Sequence, residues 1–434
     1  MVGGVSVVIR PVERCEVVDY LRVLPFANGL PSWEPAPAAW HAGTAAWPQP
    51  AAPASGETLR GWVDDVTGEG FRSQAAFVDG HLVGGSALLS LELTVPGGRQ
   101  VRMGGVTSTG VVATHRRRGL LRQMMQAMFA DARAHGEFVT GLSASEGGIY
   151  GRFGFSPATE RARWELDRAD AAFVDAPPPG GSLELVDALT ARGVWPRIHD
   201  TVRRRRVGEV SAQSDFWDQL SDASTGPEGP LRYLLHRDES GQPDGIANYR
   251  IPWGPRPDDV GTVAVEALEA TNPGAYAALW GLLVDLDLTR RIVAAPQPVD
   301  EPLRWLLRNP RALRTTRATD NLWLRLLDVP TALEARTFDA HGGLVFEIGQ
   351  DAMCPENSGT WRLTADPAGA VCARTAEHPD ITLDVQSLAS LYLGGVSPAA
   401  LAAAGRIIEH QDGAVALTAR LFTTDPLPYN AIGF

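Results

Sequence analysis

One stretch limits what this chain can become. Val106–Val112 is rich in β-branched and small residues, Arg116–Arg118 are followed by Gly119, and Leu120–Ala130 keeps an unbroken helical pattern. That order predicts strand, turn and helix. Such a turn gathers backbone N–H groups and the positive end of a helix dipole at one point, which makes it an anion site. Arg116, Arg117 and Arg118 add charge-assisted donors, each worth roughly 1.5–3 kcal/mol against a buried phosphate. Gly119 has no Cβ to hold a ligand away from the backbone.

The spacing Arg116-x-x-Gly119-x-Leu121 resembles the acetyl-CoA pyrophosphate loop of the GCN5-related N-acetyltransferases (GNAT enzymes), Gln/Arg-x-x-Gly-x-Gly/Ala, with Leu121 departing at the last position. Two further stretches narrow the resemblance. The run Ser143–Phe155 contains Ser145-Glu-Gly-Gly-Ile-Tyr150-Gly-Arg-Phe-Gly154, and the chain ends in Tyr429-Asn-Ala-Ile-Gly-Phe434. Beside Thr114–Arg122, these are similar to the signature of the enhanced intracellular survival (Eis) acetyltransferases, whose chains also end in phenylalanine. The resemblance covers the whole chain, with a Trp/Pro-rich segment at about 30–60 as its main departure.

The resemblance implies an α/β (α+β) chain in three parts. These are an acetyl-CoA-binding GNAT domain over 1–175, a degenerate GNAT-like domain over 182–315, and a sterol-carrier-protein-like domain over 316–434 that ends in a catalytic C-terminus. It implies acetyl-CoA as co-substrate. Thr109, Gly110 and Val111 would pair with the pantetheine amides, and Arg116, Arg117, Arg118, Gly119, Leu120, Leu121 and Arg122 would hold the pyrophosphate. Ser145 and Glu146 would stand at the adjacent strand end. It further implies a homohexamer and, as the best-known acceptors, aminoglycosides.

Composition bounds these expectations. A chain of 434 residues suggests two to four domains. Hydrophobic residues make up 44% and charged residues 21%, as in a globular protein, and no apolar run reaches the length of a membrane span. The N-terminus lacks a basic region followed by a long apolar one, so the expected compartment is the cytoplasm. Cys15, Cys354 and Cys372 are too few and too scattered for a disulfide framework or a metal site, and no metal is expected. A net charge of −12 argues against nucleic acid as a partner and suits a small polycationic amine acceptor.

Along the chain, Val5–Ile9 reads as a strand and Val12–Leu24 as a helix. From Pro25 to Gly56, prolines exclude a regular helix or central strand, while Trp33, Trp40 and Trp47 are costly to leave in water. Over 25–57 the expectation is a lid beside the acceptor site, with a loosely docked loop as the alternative. Strands are predicted at Gln74–Val78, Gly84–Thr94 and Gln100–Val112, then a helix at Gly119–Ala134, a strand at Phe138–Ser143, a short helix around Gly147–Arg152, and a strand from Phe153. Ala176–Gly181 marks a boundary. Beyond it, strands are read near Leu231–His236 and Gly261–Leu268, and a helix around Ala275–Asp285. Arg203–Arg206 reads as a solvated helix face or a subunit contact. The last part is read as antiparallel strands with helices at one side, including Leu322–Asp328, Val329–Thr337, and a helix at Val385–Tyr392 capped by Asp384.

Acetyl transfer from a thioester needs a bound donor, a neutral amine, and a proton for the departing thiolate. Resemblance makes Tyr150 the acid; a core tyrosine with a satisfied hydroxyl is the other reading. A phenol of pKa ~10 donating to a thiolate of pKa ~8.5 is uphill by about 2 kcal/mol. Resemblance makes the Phe434 carboxylate the base, although most termini are solvated. A carboxylate of pKa ~3.5 taking a proton from an ammonium of pKa ~10 loses about 9 kcal/mol. A polyamine, whose crowded charges depress its pKa values, suits that base better than an isolated lysine. His115 sits too near the anion to be a base, and the cysteines lack the context of a nucleophile. Direct transfer is therefore expected, and the resemblance implies an aminoglycoside-like amine as the acceptor. Acetylation of protein lysines, or a sterol-carrier-like binding protein with an inert GNAT part, remain the alternatives.

Overall fold

In a computed structural model, residues 6–27, 66–68, 70–174, 180–220, 229–252 and 261–434 are described. The expected lid therefore lies, from residue 28 on, outside the described residues. The chain divides into two compact units, Met1–Ala158 with Leu322–Thr424 and Gly433–Phe434, and Thr159–Asn321 with Asp425–Ile432.

The first unit opens with β1 (Val7–Arg10) and α1 (Val17–Ala27). Val17, Tyr20, Leu21 and Leu24 are buried at helical spacing, and the Tyr20 hydroxyl donates to the Ser86 carbonyl at 3.0 Å. The helix runs through Pro25 to Ala27, further than the sequence suggests. β2 (Phe71–Val78), β3 (His81–Thr94) and β4 (Gln100–Val111) then form an antiparallel meander. The turn at Pro96–Gly98 has both Gly97 and Gly98 at positive φ. After the anion turn comes α2 (Leu120–Ala134), whose Leu120, Met124, Met125, Met128, Phe129 and Ala132 form one buried face. β5 (Val139–Ser143), α3 (Gly147–Tyr150) and β6 (Ser156–Pro157) follow. The strand expected from Phe153 begins at Ser156 instead, because Gly151–Phe153 is a tight 3₁₀ turn that Gly154 ends at φ +89°.

The second unit contains β7 (Glu160–Asp167), β8 (Ser182–Val186), α4 (Ala188–Arg203), α5 (Ser214–Leu220), β9 (Arg232–Arg237), β10 (Pro243–Arg250), β11 (Thr262–Ala270), α6 (Pro273–Asp285), β12 (Arg291–Gln297), α7 (Leu303–Leu306) and β13 (Arg314–Asp320). Its seven-stranded sheet runs β13-β7-β12-β11-β10-β9-β8. The arginine run is not one solvated face. Arg203 is buried against Asp200, and Arg206 pairs with Asp300 at 2.8 Å.

The chain returns to the first unit with β14 (Leu322–Leu326), which enters the first sheet between β5 and β6, giving the order β1-β2-β3-β4-β5-β14-β6. α8 (Val329–Ala335), β15 (Gly342–Ile348), β16 (Gly359–Asp366), β17 (Gly369–Arg374), β18 (Ile381–Leu383), α9 (Val385–Leu391), α10 (Pro398–Ala403), β19 (Ile407–Glu409) and α11 (Ala414–Phe422) complete it. Asp384 caps α9 by accepting from the Ser387 N–H at 2.8 Å. The third sheet, β17-β16-β15-β18-β19, is mixed, since β15 and β18 pair in parallel where antiparallel strands were expected.

Candidate active site

The site begins where two parallel strands part. β4 and β5 pair only at Met103–Val139, Gly104–Thr140 and Gly105–Gly141. Both strands continue, β4 to Val111 and β5 to Ser143, and among the described residues no further pairs join them. Burial follows the split: Met103 to Val106 are buried, and Thr107 to Val112 are only half-buried. An extended chain carrying amides can therefore lie against this edge of β4 in place of a neighbouring strand.

β4 also carries a bulge. Gly110 faces Gly85 and Thr107 faces Ala87, so Ser108 and Thr109 together oppose Ser86. Ser108 sits at φ +50°, a left-handed conformation that costs energy in a residue with a Cβ, and its buried hydroxyl has no partner among the described residues. The Thr109 hydroxyl lies 2.6 Å from the Ser86 hydroxyl. Gly110 and Val111 stay paired with β3, and Val111 packs with Leu120 and Met124.

The anion turn has the expected form. Arg116 anchors it through Nε to the Val111 carbonyl at 3.1 Å, and Arg117 takes φ +64°. Gly119 caps α2 at φ +78°, with no atom of the described residues within 4 Å of where a Cβ would stand. Arg116, Arg117 and Arg118 are exposed, and Leu120 is buried. Leu121 is partly buried against the cluster that contains Tyr150. Arg122 donates to the Met353 sulfur at 3.4 Å. Ser145 and Glu146 lie exposed at the N-terminal end of α3. A left-handed glycine that the described residues leave uncovered, three exposed guanidinium groups and a strand edge unpaired among those residues fit a pyrophosphate with an amide-bearing arm.

Tyr150 is 8% exposed and shares a buried cluster with Leu88, Val106, Met125 and Phe129. Burial raises its phenol above the ordinary 10, against a hydrogen bond with Ser145 that lowers it; the nearby Glu146 charge raises it further. The group is thus held protonated. Phe434 is also 8% exposed. Its ring lies against Gly105, the last β4 residue paired with β5, and a Cβ there would stand 3.0 Å from the ring. Successive strand residues face opposite sides. Val106 therefore faces the side of Tyr150, Gly105 faces the side of Phe434, and both flank the point where the strands separate.

The bulge at Ser108 and the role of Gly105 were not read from the sequence. The adjacent glycines Gly104 and Gly105 in a strand pattern were the available signal, since such glycines mark close approach.

Comparison with known proteins shows the family. Residues 36–158 and 208–326 each match an acetyltransferase (GNAT) domain profile, and residues 329–431 match a sterol carrier protein domain profile. An uncharacterized N-acetyltransferase of Streptomyces coelicolor is 39% identical over 368 residues, spanning 81% of this chain and 86% of the relative. N-acetyltransferase Eis of Mycobacterium tuberculosis is 37% identical over 336 residues, spanning 75% of this chain and 79% of its own length. The chain belongs to the Eis family of GNAT N-acetyltransferases. Within solved structures, Eis1 of Mycobacterium abscessus superposes with a TM-score of 0.81 at 31% identity, covering 99% of this chain and all of that one (100%). A GCN5-related N-acetyltransferase from Anabaena variabilis shares the fold at 17% identity, with a TM-score of 0.79 and coverage of 99% and 100%. The Eis-type architecture of two GNAT domains and a sterol carrier domain is thus established, and the chain is an N-acetyltransferase whose fold implies use of acetyl-CoA. Among the described residues, no helix is long and apolar enough to cross a membrane.

Proposed function

We propose that this Eis-family enzyme acetylates amines of a small polycationic, aminoglycoside-like acceptor by direct transfer, with Tyr150 as acid and the Phe434 carboxylate as base. The observation that carries the reading is the seat of Phe434 against Gly105, at the end of the β4–β5 ladder. The burial of Phe434 beside the last paired residue of β4, where most termini are solvated, supports this reading.

Thr109 and its neighbours on the free edge of β4 hold the donor's amides, and the turn from Arg116 to Gly119 neutralises its phosphates. Acetyl-CoA supplies an activated acyl group on a thiol. The Phe434 carboxylate takes the proton that the acceptor ammonium loses, the amine nitrogen forms the new C–N bond, and the C–S bond breaks. Tyr150 donates its hydroxyl proton to the departing sulfur, the second proton of the nitrogen passes to the phenolate as the amide forms, and the carboxylate releases its proton to solvent. Burial widens the gap between phenol and thiol, so hydrogen bonding to the sulfur as charge develops is the larger part of its contribution.

The net charge of −12 supports a cationic acceptor, and crowded ammonium groups with lowered pKa values reduce the deficit of a carboxylate base. The homohexamer expected from the resemblance is part of the same proposal, and light scattering tests it. The chemistry is tested by following thiol release with aminoglycosides, polyamines and lysine peptides in parallel. Turnover confined to lysine peptides would overturn the acceptor class and leave the protein-acetylating alternative.

A further inference from the structure

The loop between β15 and β16 belongs to the C-terminal part of the first unit, yet its Met353 side chain meets Arg122 in the first turn of α2. Asp351 organises the loop. Its Oδ1 accepts from the N–H groups of Met353 and Cys354 at 3.2 and 3.1 Å, and its Oδ2 accepts from Arg325 at 2.5 Å and from Asn357 at 3.2 Å. Asn357 accepts in turn from the Val329 N–H at 3.1 Å and donates to the carbonyls of Leu326 and Leu327, both at 3.3 Å. A loop tied at both ends to β14 and α8 presents a fixed surface.

Met353 is the residue it presents. Its half-buried side chain packs on the cluster of Tyr150 and Phe129 together with three other half-buried apolar residues, Leu121, Ala144 and Ile149. Leu121 and Ile149 come from the start of α2 and from α3, and Ala144 directly follows β5. The Met353 sulfur also accepts from Arg122 at 3.4 Å. A thioether is a weak acceptor that a guanidinium exchanges readily for a phosphate oxygen. Nothing else in the proposed chemistry uses this contact.

We propose that Met353 is a coenzyme-binding residue supplied by the sterol-carrier-like part. Its side chain forms the apolar wall against which the adenosine end of acetyl-CoA packs, and Arg122 leaves the sulfur for the coenzyme phosphates. A polarisable, unbranched side chain suits an aromatic base. This rests on the reading that the coenzyme lies along the turn from Arg116 to Arg122.

The test is calorimetric titration of the full chain with acetyl-CoA, alongside the KM for S-acetylpantetheine, which lacks the adenosine and the pyrophosphate. Met353→Ala weakens acetyl-CoA binding about fivefold and Met353→Leu less than about twofold, while the KM for S-acetylpantetheine is unchanged in both. Unaltered acetyl-CoA affinity in Met353→Ala, or an equal loss with both donors, overturns the proposal. Gly119→Asp separates the two readings. Loss of acetyl-CoA binding in that variant supports the turn, so a silent Met353→Ala then defeats the Met353 proposal alone. Retained binding defeats both.

Discussion

The ring of Phe434 rests on the backbone of Gly105: a methyl group at residue 105 would stand 3.0 Å from Cε2 and 3.1 Å from Cδ2 of that ring, and 2.7 Å from a methyl of Leu91. The last residue of the chain thus fills a place that only a glycine leaves open. Gly105→Ala is expected to displace the terminal ring, and with it the carboxylate, at least tenfold in kcat (~1.4 kcal/mol or more). The KM for acetyl-CoA stays within about twofold, since the anion turn is untouched. Steady-state kinetics checks both, and an unchanged kcat would separate Phe434 from catalysis.

Tyr150→Phe removes the hydroxyl and keeps the packing against Phe155, whose ring centroid is 6.2 Å away. Turnover is expected to fall by more than about tenfold with thermal stability preserved. Because burial holds the phenol above its usual value, the alkaline limb of kcat should not bend below about pH 10. A bend near neutrality that disappears in Tyr150→Phe would contradict the assignment.

Arg116→Ala removes both an exposed cation and the bond to the Val111 carbonyl at 3.1 Å that shapes the turn. The KM for acetyl-CoA is expected to rise about tenfold or more while the acceptor KM is little changed. Raising ionic strength should narrow the difference between wild type and variant, because exposed charges are screened.

The residues show why parts of this site were legible and others were not. The turn from Arg116 to Gly119 is local: its glycine, its arginines and the helix pattern of α2 are contiguous, and helix and turn lie within a residue or two of the sequence reading. The cap at Asp384 is local as well. By contrast, the insertion of β14 between β5 and β6 joins residues some 180 positions apart, and no periodicity records that partner. The bulge at Ser108 depends on the register between β3 and β4, and the parallel pair β15–β18 depends on a crossover. The seat of Phe434 on Gly105 is likewise a long-range contact. The role proposed for Phe434 comes through resemblance alone, whereas its neighbour was not read from the sequence.

The second unit should lose stability as pH rises. Burial pushes the carboxyls of Glu209 and Glu301 from 4.5 up to about 7. Burial pulls His199 down, but the charge and hydrogen bond of Glu269 at 2.7 Å outweigh it and raise the imidazole to about 9. All three groups bind their protons more tightly when folded. Their contribution is complete below the unfolded values and is lost as pH rises through about 7 for the carboxyls and about 9 for the imidazole. Thermal unfolding between pH 5 and pH 9 should therefore show a falling midpoint. Glu209→Gln, whose amide oxygen can still accept from the Ala431 N–H, should flatten the first half of that fall. A midpoint that climbs with pH would contradict the assignment.

The most direct measurement compares two forms of one protein in thiol release from acetyl-CoA, with an aminoglycoside as acceptor. One form ends at Phe434, and the other carries a single added glycine after it. The account predicts turnover by the first. In the second it predicts a loss of about a hundredfold or more in kcat with acetyl-CoA binding intact, since the carboxylate has moved one residue away and the amide in its place cannot take a proton. Equal turnover by the two forms would contradict the claim that the terminal carboxylate is the base.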